Sequence, residues 1–165
     1  MKSNLNKNHI ERFSRQIVLK NVGSVGQKKI NNSKVLIVGV GGLGCPIVDY
    51  LSRAGVGTIG IADFDKVKLS NIHRQNMYNS KDIGKYKIDV IKKKIKLINP
   101  FVKIKTYNKK ISHKNLSKII KNFEIIVDGS DNFKTKFILN KFSIKYKKIL
   151  IVGAISKFDG HVFTF

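Results

Sequence analysis

A short glycine-rich segment, residues 39–44, constrains the fold of this chain more than any other feature. It follows residues 34–38, a β-branched apolar run that is typical of a buried strand. Apolar residues then recur at helical spacing, at Leu43, Ile47, Leu51 and Ala54. A strand, a glycine loop and a helix in this order match the G-x-G-x-x-G arrangement that holds a nucleotide phosphate.

The rest of the chain continues to alternate between strand and helix patterns. Further strands are predicted over residues 58–63, 102–106, 124–128 and 149–152, with helices over residues 88–98, 116–120 and 132–147. This alternation predicts an α/β fold: a doubly wound, mostly parallel, Rossmann-like sheet with helices on both faces. Residues 160–165 alternate again after a turn-like segment, which predicts an antiparallel edge strand at the C-terminus.

The two ends of the chain differ from this pattern. Residues 1–9 are polar and rich in Lys and Asn, so we expect a disordered start, followed by helical patterns over residues 11–19 and 26–30. Residues 10–165 then form one domain, which stops within its last strand and is expected to be truncated there. No apolar run approaches the roughly 20 residues that span a bilayer, and we expect a cytoplasmic protein.

The net charge of +23 raises the question of a nucleic-acid partner. Only four of the 33 basic residues are Arg, whereas guanidinium groups suit phosphates and base edges better than ammonium groups do. A solvated lysine surface is therefore the favoured interpretation, and a nucleic-acid partner is not expected. The single Cys45 has no internal disulfide partner and is interpreted as a small core residue.

The glycine loop and a carboxylate beyond it form the first candidate site. Gly39, Gly41, Gly42 and Gly44 let the backbone turn tightly and approach a phosphate at the start of the following helix. Asp63 comes at the end of the second strand, where its carboxylate can accept hydrogen bonds from ribose hydroxyls. This combination predicts nucleotide binding but fits NAD, FAD and adenylate chemistry alike.

A long polar loop over residues 64–83 and the start of the next helix supply cations near the same edge. Arg74 and Lys87 would meet the phosphates of a nucleotide whose ribose is held by Asp63. Three phosphates need more cations than the pyrophosphate of a dinucleotide does, which favours ATP over NAD.

A second acidic segment, residues 128–132, lies at the end of the fourth strand. Asp131 could hold Mg²⁺ between triphosphate oxygens, because hard cations prefer oxygen ligands. Alternatively, Asp131 and Asn132 form an ordinary helix N-cap. The residues alone also leave open a NAD-dependent oxidoreductase and a non-catalytic nucleotide-binding module.

Taken in order, these motifs resemble the MoeB/ThiF/HesA family, which comprises molybdopterin-synthase adenylyltransferases, thiazole-synthesis adenylyltransferases and ubiquitin-activating enzymes. The resemblance runs from residue 12 to Gly160 and is nearest to the molybdopterin-synthase and sulfur-carrier adenylyltransferases. The matching segments are residues 12–17, 38–44, 54–57, 63–65, 69–75, Lys87, 99–100, 131–132 and 153–154.

The resemblance implies ATP-dependent adenylation of the C-terminal glycine of a small ubiquitin-fold sulfur carrier that ends in Gly-Gly, with release of pyrophosphate. It implies that Asp131 binds Mg²⁺ and that Arg15 reaches the site of a neighbouring subunit in a homodimer. The implied catalytic residues are Arg15, Arg74, Lys87 and Asp131. The expected nucleotide-binding residues are Gly39, Gly41, Gly42, Gly44, Asp63, Asp65, Ser70, Asn71, Arg74, Gln75, Lys87, Asp131 and Asn132.

Some family features have no counterpart in this sequence. Family members commonly continue further and carry four cysteines that bind a structural zinc ion, and none of these cysteines is present here. Cys45 lies against the glycine loop and is not interpreted as the nucleophile that some members use, and His73 is interpreted as a positioning side chain.

Overall fold

The computed structural model describes residues 5–165 of the chain. Its strands are Lys34–Val38 (β1), Thr58–Ala62 (β2), Lys103–Tyr107 (β3), Ile125–Asp128 (β4), Ile149–Ser156 (β5) and Asp159–Thr164 (β6). Its α-helices are Lys7–Arg12 (α1), Ser14–Ile17 (α2), Gly23–Asn32 (α3), Gly44–Ala54 (α4), Lys87–Ile98 (α5), His113–Ile120 (α6) and Phe133–Tyr146 (α7). Two 3₁₀ turns, Leu69–Asn71 and Ser80–Asp82, lie in the long polar loop.

The six strands form one sheet in the order β3-β2-β1-β4-β5-β6. β1 to β5 are parallel, and β6 pairs with β5 in the antiparallel direction. The tight connection between β5 and β6 includes Lys157 in the left-handed region at φ 55°. The predicted fold class and the antiparallel C-terminal strand are therefore both confirmed.

Helices cover both faces of the sheet, and each face has its own buried core. Alternate side chains of β1 explain this division, because Ile37 belongs to one core and Leu36 to the other. The first core includes Val48 of α4 and Ile91 of α5, and the second includes Leu139 of α7. Since β1 is buried on both faces, its sequence is a continuous apolar run.

The last part of the segment predicted to be disordered, residues 1–9, is helical. Helix α1 begins at Lys7, and the side chain of Asn6 caps it by accepting a hydrogen bond from the His9 amide at 2.9 Å. Residues 1–4 lie outside the described part of the chain. The helix predicted over residues 11–19 is interrupted at Phe13, whose buried ring packs against Gly55.

None of the helices in residues 5–165 is long and apolar enough to cross a bilayer.

Candidate nucleotide-binding site

The candidate site lies at the carboxyl edge of the sheet, where the chain leaves β1 and β4 in opposite directions. Val38, the last residue of β1, pairs with Ala62 of β2 on one side and with Asp128 of β4 on the other. The glycine loop, Asp63 and the acidic segment after β4 therefore start from adjacent positions at this edge. Such a switch in strand order opens a crevice in which α/β proteins bind ligands.

Two glycines of the loop are required by its internal packing. A Cβ atom on Gly44 would lie 2.0 Å from the carbonyl oxygen of Gly39, closer than any real contact. Gly39 has φ +83°, and a Cβ atom there would lie 3.0 Å from the carbonyl oxygen of Gly129. Gly39, Gly44 and Gly129 thus let the glycine loop and the acidic loop after β4 pack backbone against backbone.

The other two glycines have no such requirement. A Cβ atom on Gly42 would make an ordinary contact, 3.7 Å from Cδ of Arg74, and one on Gly41 would lie 3.8 Å from Nε2 of Gln75. Neither residue has positive φ. Packing therefore does not require glycine at these two positions. The close approach of a bound phosphate to the loop backbone explains it better.

Three successive backbone amides at the start of α4 are available to such a ligand. The N–H groups of Gly41, Gly42 and Leu43 have no acceptor among residues 5–165. The neighbouring carbonyl of Gly41 accepts from the Cys45 amide at 3.0 Å, which begins the helix. Successive free amides at a helix N-terminus form an anion-binding cradle.

Asp63 is buried directly beside this cradle. Its Oδ2 accepts a hydrogen bond from the Val40 amide at 2.9 Å, and its Oδ1 accepts one from the Asp65 amide at 2.8 Å. Each carboxylate oxygen can accept more than one bond, so Asp63 can hold the loop and still accept from a ribose hydroxyl.

The predicted cations lie on the same side of the loop. The side chain of Arg74 lies over Gly42, and its Nη1 donates to the Ser70 carbonyl at 2.9 Å and lies 2.7 Å from Nε2 of His73. Lys87 is buried at the first residue of α5, with its Nζ 3.2 Å from Oδ2 of Asp65. These three contacts hold both cations in fixed positions at this edge of the sheet.

Two amide side chains near Arg74 in the long polar loop, those of Asn71 and Gln75, are buried. Oδ1 of Asn71 accepts from the Lys68 amide at 3.0 Å, which fixes the 3₁₀ turn. Gln75 is only 3% exposed, yet its buried Oε1 has no hydrogen-bond partner in the described residues 5–165. A buried acceptor left without a partner is costly, so the unpaired Gln75 oxygen beside Gly41 favours a ligand or a water molecule that donates to it.

In the acidic segment after β4, the sequence left open whether Asp131 is free to bind a metal or caps the next helix together with Asn132. Asn132 is the N-cap of α7, because its Oδ1 accepts from the Thr135 amide at 2.9 Å. Asp131 is exposed, and its carboxylate makes no hydrogen bond or ion pair with residues 5–165. The Asp131 carboxylate is thus available, whereas the Asn132 oxygen is already used.

A buried ion pair behind this segment was missed by sequence reasoning. Asp128 is fully buried, and its two oxygens accept from Ser130, with Oγ at 2.6 Å, and from Nζ of Lys136 at 3.3 Å. Lys136 also donates to the carbonyl of Gly153 at 3.0 Å, which ties the acidic loop to β5. The sequence did contain a signal for this pair, because a carboxylate ends a buried strand and a lysine follows one turn into the next helix.

Arg15 lies apart from all of these residues. Its neighbour Gln16 donates to the carbonyl of Ala54 at 3.1 Å, at the C-terminal end of α4. The glycine loop is at the other end of that helix, about 15 Å away at the usual rise per residue. Arg15 is exposed and does not complete the site of its own chain.

No group of three or more His, Cys, Asp or Glu side chains that could hold a metal ion occurs within residues 5–165. A metal at this edge would therefore take most of its ligands from a bound phosphate chain and from water, as Mg²⁺ commonly does.

The chain is similar to known proteins over nearly its whole length. Residues 13–165 match the ThiF family. The chain is 39% identical over 163 residues to "Probable molybdopterin-synthase adenylyltransferase" of Gracilaria tenuistipitata var. liui, an alignment that covers 99% of this chain and 46% of that protein. It is 38% identical over 159 residues to "Sulfur carrier protein adenylyltransferase" of Thermus thermophilus, covering 96% of this chain and 59% of that protein.

Among solved structures, the fold is similar to that of the E. coli tRNA N6-threonylcarbamoyladenosine dehydratase TcdA in complex with ATP, with a TM-score of 0.85. The two chains are 21% identical, and the match covers 94% of this chain and 64% of TcdA. At that identity the likeness concerns the fold alone. The chain spans about half the length of the two adenylyltransferases it matches.

Proposed function

The chain belongs to the ThiF family, and from that premise we propose that it is the ATP-binding, adenylate-forming part of an enzyme that activates a small sulfur-carrier protein. The names of its similar relatives support the reaction type, because both are adenylyltransferases and one acts on a sulfur carrier protein. The substrate of the present reaction would be the C-terminal glycine of a ubiquitin-fold carrier that ends in Gly-Gly.

The observation that carries the proposal is the row of three unpaired amides, Gly41 to Leu43, beneath the side chain of Arg74. Amides at a helix N-terminus bind anions, and a guanidinium group above them can hold a second phosphate oxygen. Asp63, at the end of the neighbouring strand, is placed to accept from a ribose. A nucleotide lying along this edge would use all three groups.

The cations favour a triphosphate over a dinucleotide. Arg74 and Lys87 add positive charge beyond what the glycine loop supplies to a pyrophosphate. Lys87 is nearly buried and already oriented by Asp65, so little reorganisation is needed when a phosphate chain binds. We therefore assign ATP as the nucleotide.

In the proposed reaction, a carboxylate oxygen of the carrier attacks the α-phosphorus of ATP. The bond from that phosphorus to the oxygen that bridges the α- and β-phosphates breaks, and pyrophosphate leaves with the electron pair. The products are a carrier acyl-adenylate and pyrophosphate, and no proton is transferred. Because two anions must approach each other, the protein's task is to supply cations and alignment rather than a base.

The residues present fit a Mg²⁺ ion in one place. Asp131 offers an exposed carboxylate that is unpaired within the described part of the chain, two residues beyond the backbone contact between Gly129 and Gly39. Bound Mg²⁺ would neutralise charge on the phosphate oxygens. Asp131 is assigned as the side chain that would hold it, and Asn132 as the residue that fixes the backbone of Asp131 by capping α7.

Arg15 supports a homodimer as part of the proposal. It is exposed, remote from the glycine loop of its own chain, and in the family resemblance it reaches the neighbouring subunit's phosphates. A dimer of this kind would place one Arg15 at each site. The proposed place of the reaction is the cytoplasm.

The proposal is tested by titrating the chain with ATP and with NAD in parallel by calorimetry. We expect ATP to bind in the presence of Mg²⁺ and NAD to bind at least tenfold more weakly, on the order of 1.4 kcal/mol. Binding of NAD with no response to ATP would overturn the assignment.

The adenylation step is tested by ATP–pyrophosphate exchange with a carrier that ends in Gly-Gly. Exchange should depend on the carrier and fall about 100-fold or more in Asp131→Asn, since removing a charge that acts in the transition state costs a few kcal/mol. The matched control is Asp159→Asn, which changes an exposed aspartate of β6. Carrier-independent exchange would refute the carrier as the substrate, and an equal loss in both variants would refute the role of Asp131.

A further inference from the structure

Val40, in the glycine loop, is fixed by buried hydrogen bonds at both its amide and its carbonyl group. The Val40 amide donates to Oδ2 of Asp63 at 2.9 Å. The Val40 carbonyl accepts from the hydroxyl of Tyr78 at 2.9 Å and from Sγ of Cys45 at 3.2 Å. Val40 and Cys45 are fully buried, and Tyr78 is 4% exposed.

The direction of the Val40 carbonyl determines the direction of the next amide. The carbonyl of Val40 and the N–H of Gly41 belong to one planar trans peptide group, so they point in opposite directions. No cis peptide bond occurs in the described chain. Because Tyr78 and Cys45 hold the carbonyl toward the core, the Gly41 amide is turned toward the side where it has no protein acceptor.

Tyr78, which lies in the long polar loop, also connects that loop to the glycine loop. Its own backbone amide donates to the carbonyl of Gln75 at 3.0 Å, one residue beyond Arg74. The same residue therefore fixes the Gly41 amide through its hydroxyl and the Gln75 backbone through its amide. The Gly41 amide is a donor that a bound phosphate chain would contact, and Gln75 directly follows Arg74, whose guanidinium group would be another.

Both donors remain protonated at neutral pH. Burial raises the pKa of the Cys45 thiol to about 11 and raises the pKa of the Tyr78 phenol above its ordinary value. Tyr78 is the stronger of the two donors, because a hydroxyl forms shorter and stronger hydrogen bonds than a thiol does.

We propose that Tyr78, assisted by Cys45, is a positioning residue of the site: it holds the Val40 carbonyl inward so that the Gly41 amide faces a phosphate of the bound nucleotide. This inference rests on the proposed function for its ligand, but the geometry of the loop can be tested without one. Tyr78 itself contacts no substrate.

The first test is Tyr78→Phe, which keeps the buried ring and removes only the hydroxyl. We expect its Kd for ATP, measured by calorimetry, to rise about tenfold, the size of one hydrogen bond's net contribution. Tyr50→Phe is the matched control, because Tyr50 lies on α4 but is 70% exposed, and it should bind ATP like the wild type.

A rescue variant separates positioning from general damage. In the Tyr78→Phe background, Cys45→Ser replaces a weak donor to the same carbonyl by a hydroxyl, and it should recover a measurable part of the lost ATP affinity. Cys45→Ala in that background should weaken binding further. If Ser and Ala at position 45 behave alike, the Val40 carbonyl is not what Tyr78 acts through.

The second measurement does not depend on ATP. The ¹⁵N-labelled wild type and Tyr78→Phe are compared by NMR, and the Gly41 amide resonance should shift and broaden in the variant while resonances of α5 stay in place. An unchanged Gly41 resonance together with a Kd within about twofold of the wild type would overturn the inference. Failure of the wild type to bind ATP would instead refute the proposed function and leave the NMR result to decide on Tyr78.

Discussion

The glycine loop contains two halves that look alike in the sequence and differ in the structure. In the packing half, Gly39 and Gly44 are required because backbone atoms occupy the space of a side chain, at 2.0 Å for Gly44. In the ligand-facing half, Gly41 and Gly42 have room for a methyl group, with their nearest neighbours at 3.7 to 3.8 Å. One motif therefore serves both the fold and the proposed binding.

This difference shows how the two purposes can be separated by experiment. A substitution in the packing half should damage the fold whether or not a ligand exists, because the clash is internal. A substitution in the ligand-facing half should leave the fold intact and affect only what approaches from outside. Four predictions follow this division, from the largest effect to the smallest.

Gly44→Ala should have the largest effect. Its methyl group cannot be placed without moving the Gly39 backbone, so we expect a loss of stability of about 4 kcal/mol or more and a fall in Tm of about 10 °C or more. Thermal unfolding followed by circular dichroism measures this. Gly160→Ala is the control, because nothing lies within 4 Å of a Cβ atom there. A similar Tm for both variants would remove the distinction between the halves.

The packing half should also become less stable at high pH. Burial raises the pKa of Cys45, the residue after Gly44, from its ordinary value of 9.0 to about 11. The neutral thiol is favoured in the folded state, so this contribution is fully present below pH 9.0 and is lost as the pH rises through about 11.

The loss should be on the order of 3 kcal/mol in the free energy of unfolding. Denaturant titrations at several pH values measure it in the wild type and in Cys45→Ala. Deprotonation of lysine and tyrosine side chains affects both proteins, so the difference between them isolates the thiol. A difference that does not change between pH 9 and 11 would mean that Cys45 is not held in a dry environment.

Gly42→Ala should have a smaller effect, and one of a different kind. Its methyl group would stand among the free amides below Arg74, so ATP affinity should fall about 30-fold, or about 2 kcal/mol, at an unchanged Tm. Calorimetry and thermal unfolding on the same sample measure both quantities. If Tm falls and the ATP affinity does not, Gly42 belongs to the packing half.

Arg74→Lys should have the smallest effect. It keeps the positive charge over Gly42 but removes the planar fork that can hold two phosphate oxygens, so ATP affinity should fall about tenfold. Arg53→Lys is the matched control, since Arg53 is exposed and pairs with Asp49 at 2.7 Å on α4. Equal affinity in the two variants would show that Arg74 acts only as a charge.

The strand and helix pattern made most of the fold predictable from the sequence. The apolar run of β1 and the helical spacing after Leu43 are local signals, and the glycines between them set the loop. The helix at Lys7 was missed, because a polar, Lys- and Asn-rich segment has the composition of a disordered tail and its stability depends on the Asn6 cap and on Phe13 packing beside it.

The ligand-facing residues were less predictable than the elements that hold them. Asp63 directly follows β2 and Arg74 lies in the loop after it, so the sequence places both near the carboxyl edge of the sheet. The pair of Asp128 with Lys136 instead depends on how α7 packs onto the sheet. The role of Tyr78 could not be seen either, because a tyrosine in a polar loop gives no indication that its hydroxyl reaches a residue 38 positions earlier. The residue roles inferred from the family resemblance stay predictions until the variants above are measured.

The free amides of the glycine loop have a consequence for hydrogen-exchange experiments. The amides of Gly41, Gly42 and Leu43 have no acceptor in the part of the chain that the structure describes, although Val40 beside them is fully buried and hydrogen-bonded through both its amide and its carbonyl. Their protons should be replaced by deuterium rapidly while neighbouring strands remain protected. Fast uptake at these three positions would measure the accessibility of donor groups, not motion of the backbone that carries them.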